Sequence, residues 1–352
     1  MKATFPRFGY DTYALKTFVE DLGGEVILPP PTSKRTVELG VRYGPELICM
    51  PFKLTLGNFI EALEHGADTL FMAAGAKKCR FGYYHYLQDR ALARLGREYR
   101  LVPVGQYTPY SFLFRVMPAA FSVSSTRVIR GVCIMFEKSR LTQYFRTLLN
   151  QRRAVDFAGA ERLLPEAIRL VEGAKTVTQI RHARRRLAAM FERDGRRPGL
   201  TIGLVGEIYY MIEQYSNQEV EKELARLGVE VVFERTLFHH LLHLLGVDPS
   251  YHRSRRLARR YLRECPGGEA IRTVGEAVHF VENRRVDGIV HIFPFTCMPE
   301  NIALEALQQL SEDTGVPVLS LSFDEHTSRT GLLTRLEAFV DLVQRRRRGD
   351  DN

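Results

Sequence analysis

The stretch GIVHIFPFTCMPENIALEALQQLSEDTGVPVLSLSF, residues 288–323, decides the fold. It opens with a near-continuous apolar run over 288–295, the pattern of a strand buried on both faces. Beyond Cys297, residues 301–314 carry apolar positions at helical spacing, and 318–323 form a second apolar strand. Strand, helix and strand at this spacing predict a parallel βαβ unit.

The same alternation runs outward in both directions. Residues 332–345 predict a closing helix, and upstream lie a strand over 200–205, a helix over 218–227 and a strand over 230–233. The breaker DGRRPG at 194–199 separates this half from a region, 111–193, where the strand signal largely disappears and helical patterns take over at 140–150, 160–172 and 178–191. Before it, strands are expected at 3–8, 25–28, 69–74 and 100–104 and helices at 13–22, 56–64 and 83–95, with a Pro-rich turn at 29–31 and a short apolar stretch at 46–48. The expected architecture is α/β: two Rossmann-like lobes with parallel sheets, 1–110 and 199–352, joined by a helical connector over 111–198. The halves are alike in pattern, without a residue-level repeat.

Composition agrees with a folded protein of about two domains: 352 residues, 45% hydrophobic and 26% charged. No apolar run reaches the ~18–20 residues that cross a bilayer, and the opening MKATFPRFGYD lacks the apolar core of a signal peptide, so a cytoplasmic protein without a membrane span is expected. Lys and Arg number 50 against 41 Asp and Glu, a net charge of +9. Much of the excess sits at 181–197 and 345–348, with no aromatic residues interleaved and no zinc-finger or RNA-recognition signature. Solvated helix faces are the reading, not a nucleic-acid surface, and the 345–348 run is expected to fray.

Five cysteines, an odd number spread through the chain, do not make a disulfide framework. Cys49, Cys79 and Cys297 share a position: each is expected at a strand-to-helix turn, where the carboxyl ends of parallel strands form a ligand crevice. Helix N-termini there favour thiolate over thiol. Separations of 30 and 218 residues exclude a local knuckle, so the three meet only if the lobes fold face to face. Three thiolates suit a cubane iron–sulfur cluster with one iron left to another ligand, and equally zinc with a fourth, non-cysteine ligand. Cys133, inside the apolar run 132–136, and Cys265 are expected to be buried structural residues.

Other constellations are weaker. His239 and His243 have metal-ligand spacing, but Leu241, Leu242, Leu244 and Leu245 mark an amphipathic core helix, and no glutamate completes a zincin motif. Asp324, Glu325 and His326 resemble two triad members with no G-x-S-x-G nucleophile to serve. Gly203 and Gly206 do not make G-x-G-x-x-G, and Gly75-Ala76-Lys77-Lys78 is not a phosphate-binding loop.

Several segments together carry a family likeness. Cys49-Met50-Pro51-Phe52-Lys53 running on to Leu56-Gly57-Asn58-Phe59, Cys79-Arg80-Phe81-Gly82-Tyr83-Tyr84, Gly206-Glu207-Ile208-Tyr209, Phe295-Thr296-Cys297-Met298-Pro299-Glu300 and Asp324-Glu325 closely resemble the 2-hydroxyacyl-CoA dehydratase D-component and benzoyl-CoA reductase-like family, with its activase-related members. The resemblance spans most of the chain in order. It implies a 4Fe-4S cluster on Cys49, Cys79 and Cys297 in an anaerobic setting. It also implies an ATP-hydrolysing activase that delivers a low-potential electron, and an acyl-CoA thioester as substrate for reduction or dehydration. Other relatives point to a double-cubane cluster that reduces small molecules. The chain is expected to act as a single subunit, or as a homodimer of it, rather than paired with a related one.

With no phosphate-binding loop in the chain, ATP is expected to be handled by a separate protein. Lys53 and Arg80, beside two of the expected ligands, suit charge compensation or donation to sulfide. Glu207 suits a proton relay, a fourth ligand or an ordinary helix cap. Glu207 and Lys53 are the candidate catalytic residues, and zinc-stabilised binding is the non-redox alternative.

Overall fold

The protein is described from a computed structural model, over residues 1–75, 79–105, 108–192, 195–283 and 285–349. Residues 76–78 of the rejected phosphate loop and 194 of the expected breaker lie outside that range.

The first lobe runs β1 (Lys2–Thr4), α1 (Thr12–Asp21), β2 (Glu25–Val26), α2 (Lys34–Tyr43), α3 (Met50–Glu64), β3 (Thr69–Ala73), α4 (Tyr84–Ala93) and β4 (Arg100–Val104). A helical middle follows: the short α5 (Pro109–Ser111) and α6 (Met117–Phe121), the long α7 (Ser125–Val155), α8 (Phe157–Gly173) and α9 (Val177–Met190). The second lobe holds β5 (Leu200–Gly206), α10 (Ile208–Ile212), α11 (Val220–Arg226), β6 (Val229–Val232), α12 (Leu237–Leu244), α13 (Pro249–Ala258), α14 (Ala270–Glu282), β7 (Gly288–Pro294), α15 (Met298–Thr314), β8 (Val318–Phe323) and α16 (Arg329–Gly349).

Both sheets are four-stranded and wholly parallel, in the orders β2-β1-β3-β4 and β6-β5-β7-β8. The two orders are the same, so β3 in one lobe corresponds to β7 in the other. Helices cover the sheets, and β7 is buried along its whole length, as its near-continuous apolar run predicts. The expected two-lobed α/β architecture is therefore present.

The helical middle is more than a connector. Helix α7 packs on α1 of the first lobe and on β6, α11 and α12 of the second. Asp11, buried at the start of α1, accepts from Thr142 and Ser139 of α7 and from the Leu237 amide, joining all three regions. Burial pushes its carboxyl up to about 6 against those hydrogen bonds and Arg146. A raised carboxyl pKa means that folding favours the protonated form. The stability is fully present below the ordinary value of 3.8 and is lost as pH rises through about 6. Denaturant unfolding across that window is expected to show a loss of up to ~3 kcal/mol, and Asp11→Asn is expected to flatten it.

Several local expectations need correction. Residues 46–48 form a turn between α2 and α3, not a strand, and α3 begins at Met50 rather than at 56. Cys133 is exposed, because α7 turns Val128, Gly131, Ile134 and Met135 inward and leaves it on the far face; Cys265 is exposed too. The 345–348 arginines do not fray: α16 continues to Gly349, Arg346 donates to the Gly315 carbonyl at 2.6 Å and Arg347 to that of Gly199 at 2.5 Å. Cations at a helix C-terminus are favoured by its dipole. The arginines of α9 do face solvent as expected. No single helix among the described residues is long and apolar enough to cross a membrane.

Candidate functional site

The crevice lies where loops at the carboxyl ends of the two sheets meet. Cys49 caps α3, with Pro51 in the first turn fixing the start. Cys297 caps α15 in the same way, again followed by Met and Pro. Cys79 precedes the short 3-10 helix Arg80–Tyr83 on the way from β3 to α4. Cys79 and Cys297 thus occupy equivalent points, after β3 and after β7. In the second lobe the position matching Cys49, at the start of the helix before the third strand, is Glu269, which caps α14.

Arg80 fastens the three loops together. Its guanidinium donates at 3.1 Å to the Leu47 carbonyl, two residues before Cys49, and at 2.6 Å to that of Thr296, next to Cys297. Gly82 lets the Cys79 loop fold back on the end of β3, since a Cβ there would sit 1.5 Å from the Gly75 carbonyl oxygen. Asn301 holds the Cys297 loop from the other side, through the carbonyls of Phe295 and Cys297 at 3.1 and 2.8 Å.

Glu207 sits at the end of β5 and interacts electrostatically with all three thiols. One carboxylate oxygen, Oε2, caps α10 through the amides of Tyr209 and Tyr210 at 3.0 and 3.2 Å. Both amides use that one oxygen, so the helix-cap reading holds. Gly206 makes the turn possible: its φ is +150°, and a Cβ would meet the Ile292 carbonyl oxygen at 1.9 Å. Burial pushes the Glu207 carboxyl up to about 7 against its two amide bonds, and Glu300 and Glu269 add to the rise.

The thiols themselves run against expectation. Burial raises the Cys49 thiol despite Tyr84 and Arg80, pushes Cys79 up to about 11, and drives Cys297 well above its ordinary value with help from Glu300 and Glu207. Helix N-termini alone do not outweigh desolvation and three nearby carboxylates. A cation bound among these sulfurs would reverse the balance, as metals do to coordinating thiols.

Lys53 is committed to an ion pair: it is 2% exposed and meets Glu325, just past the carboxyl end of β8, bracing lobe against lobe. Burial opposes the Glu325 charge, but the Lys53 hydrogen bond holds its carboxyl below the ordinary range. Asp324 accepts from the His326 amide and the Thr327 hydroxyl and serves a turn. Helix α12 is half-buried rather than a core helix; His239 bonds Thr236 and the His243 ring packs on Tyr251.

Four groups at the crevice are not evident from sequence. Glu269 interacts electrostatically with Cys79 and Glu207, and is held ionised by Arg235 and Arg272 at 3.8 and 3.5 Å. Glu300 is fully buried and pairs with His291 at 3.0 Å. Tyr84 bonds Cys49. Tyr210 is fully buried and its hydroxyl has no hydrogen-bond partner, although Glu207, Cys49 and Cys297 all lie within electrostatic reach of it. An orphaned buried hydroxyl is costly, and this one stands within electrostatic reach of two of the three thiols. The Cys-Met-Pro recurrence was the one available signal that two helix starts serve one site. Among the described residues, no three His, Cys, Asp or Glu side chains come close enough to hold a single metal ion.

Residues 8–75, which include Cys49 and Lys53, match a CoA enzyme activase uncharacterised domain. No curated protein matches the chain. Residues 121–343, with Glu207, Tyr210 and Cys297, match the family described as 2-hydroxyglutaryl-CoA dehydratase, D-component. That match takes in the helical middle and nearly all of the second lobe, more than half of the chain, and the protein belongs to the 2-hydroxyglutaryl-CoA dehydratase D-component family.

Proposed function

We propose that the protein is an iron–sulfur redox component of the 2-hydroxyacyl-CoA dehydratase type, in which Cys49, Cys79 and Cys297 hold a 4Fe-4S cluster. An ATP-hydrolysing activase would be its electron donor and an acyl-CoA thioester its substrate. The observation that carries this reading is the convergence of three thiols from two lobes on one crevice, pinned by Arg80 and bordered by the orphaned Tyr210 hydroxyl. A single zinc ion with Zn–S bonds of ~2.3 Å needs its sulfurs within about 4 Å of one another. Among the described residues, no three ligating side chains are placed to hold a single ion.

When bound, such a cluster would supply a low-potential electron and an open iron to the thioester. The chain's own residues supply the rest. Arg80 holds the three ligand loops in register; Tyr210 offers a donor hydrogen to whatever occupies the crevice. Glu207, with its carboxyl near neutral pKa, can hold or release a proton beside it. The Lys53–Glu325 pair keeps the lobes closed over the site.

The test is anaerobic purification with iron and acid-labile sulfide analysis, and electron paramagnetic resonance after reduction. About four irons per chain and a reduced-cluster signal are expected. A folded, colourless, iron-free protein under those conditions rejects the reading.

A further inference from the structure

The three thiols are not equivalently bonded. Each accepts a backbone amide, Cys79 from Phe81, Cys297 from Glu300 and Cys49 from its own residue, but Cys49 also meets the phenolic hydroxyl of Tyr84. Tyr84 is 1% exposed. Its ring is fixed edge-on against Phe52, centroids 5.2 Å apart at 90°, and lies against Phe81 at 4.9 Å. With the ring so held, the hydroxyl has little freedom to swing away from the sulfur. Phe52 belongs to the helix that Cys49 caps, and Phe81 to the loop of Cys79, so Tyr84 is seated by two of the three ligand segments.

We propose that Tyr84 donates its hydroxyl hydrogen to the Cys49 sulfur and so sets the reduction potential of the centre that the three cysteines hold, a role that rests on the iron–sulfur reading above. The direction of the bond follows from chemistry. A metal-bound cysteine sulfur carries no proton and can only accept, so the phenolic hydroxyl is the donor. A hydrogen bond to a sulfur that gains negative charge strengthens as that charge grows, more so in a buried, low-dielectric setting. It therefore stabilises the reduced state over the oxidised one and raises the potential. Tyr84 is a positioning and tuning residue; it touches the ligand, not the substrate.

The experiment is a potentiometric titration, followed by electron paramagnetic resonance, on anaerobically purified wild-type protein, Tyr84→Phe, and protein carrying 3-fluorotyrosine at 84. In Tyr84→Phe, iron and sulfide per chain are expected to stay at wild-type level while the equilibrium moves about tenfold toward the oxidised form, ~59 mV for a one-electron couple. Fluorotyrosine is nearly isosteric and the stronger donor, and is expected to move the potential the other way. Should Tyr84→Phe fail to fold, the fluorotyrosine protein decides alone. Unchanged potentials with iron retained overturn the tuning role and leave the iron–sulfur reading standing; a wild-type protein without iron overturns both.

Discussion

Serine in place of Cys49, Cys79 or Cys297 is expected to lower bound iron and acid-labile sulfide by at least ~10-fold, while Cys133→Ser and Cys265→Ser leave both at the wild-type level. The contrast follows from placement. Cys49 and Cys297 are buried caps of helices from opposite lobes, and Cys79 lies on the loop that Arg80 ties to both. Cys133 and Cys265 are exposed and belong to no such set. Serine is nearly isosteric, so each of the three variants should fold, and circular dichroism unchanged from wild type separates loss of the centre from loss of the protein. Iron and sulfide analysis of all five variants is the measurement. Equal losses at all five would remove the grounds for singling out the trio.

The placement of those three cysteines just before helix starts was legible in sequence because the strands were. The apolar run at 288–294 is a strand buried throughout and that at 318–323 a half-buried edge strand, and the chemistry-bearing residues follow the carboxyl ends of β3, β5 and β7, where a parallel sheet puts its ligand loops. Cys49 was found for a partly wrong reason. The stretch 46–48 is apolar enough to read as a strand, but it is a turn after α2, a helix whose start is marked by the Ser33–Thr36 capping box. Helices α13 and α14 were not anticipated, and with them went Glu269, which stands at the start of α14 where the other lobe has Cys49. Correspondence of that kind depends on the order of strands in each sheet, β2-β1-β3-β4 against β6-β5-β7-β8, and no local pattern encodes it. Lys53 shows the same limit. Its neighbour in sequence is a ligand loop, yet its ammonium is matched by Glu325, 272 residues away.

Arg235→Met is expected to destabilise the fold by about 3–5 kcal/mol, and Arg235→Met combined with Glu276→Gln by distinctly less. Arg235 is wholly enclosed, with Glu276 at 3.2 Å, Glu269 at 3.8 Å and the Thr273 hydroxyl at 3.4 Å, and it donates to the Gly206 carbonyl. Burial works against its charge, yet Glu276, Glu269 and Glu300 outweigh it and hold its pKa above the ordinary value. Removing the guanidinium strands the Glu276 carboxylate inside the second lobe, while Glu269 keeps Arg272 and the Gly206 carbonyl keeps the Thr273 hydroxyl, and that uncompensated burial costs more than the pair itself contributes. Neutralising Glu276 as well removes the stranded charge, so denaturant unfolding of the single and double variants should give a coupling energy of more than ~1 kcal/mol. The effect reaches the crevice, because the Gly206 carbonyl immediately precedes Glu207 and Glu269 caps the helix beside Cys79. A milder Arg235→Lys, which keeps the charge but not the fork that spans Glu276 and Gly206, is expected to fold and yet lose bound iron relative to wild type. Full stability in Arg235→Met, or additive costs in the double variant, would show that this buried cation does not organise the floor of the site.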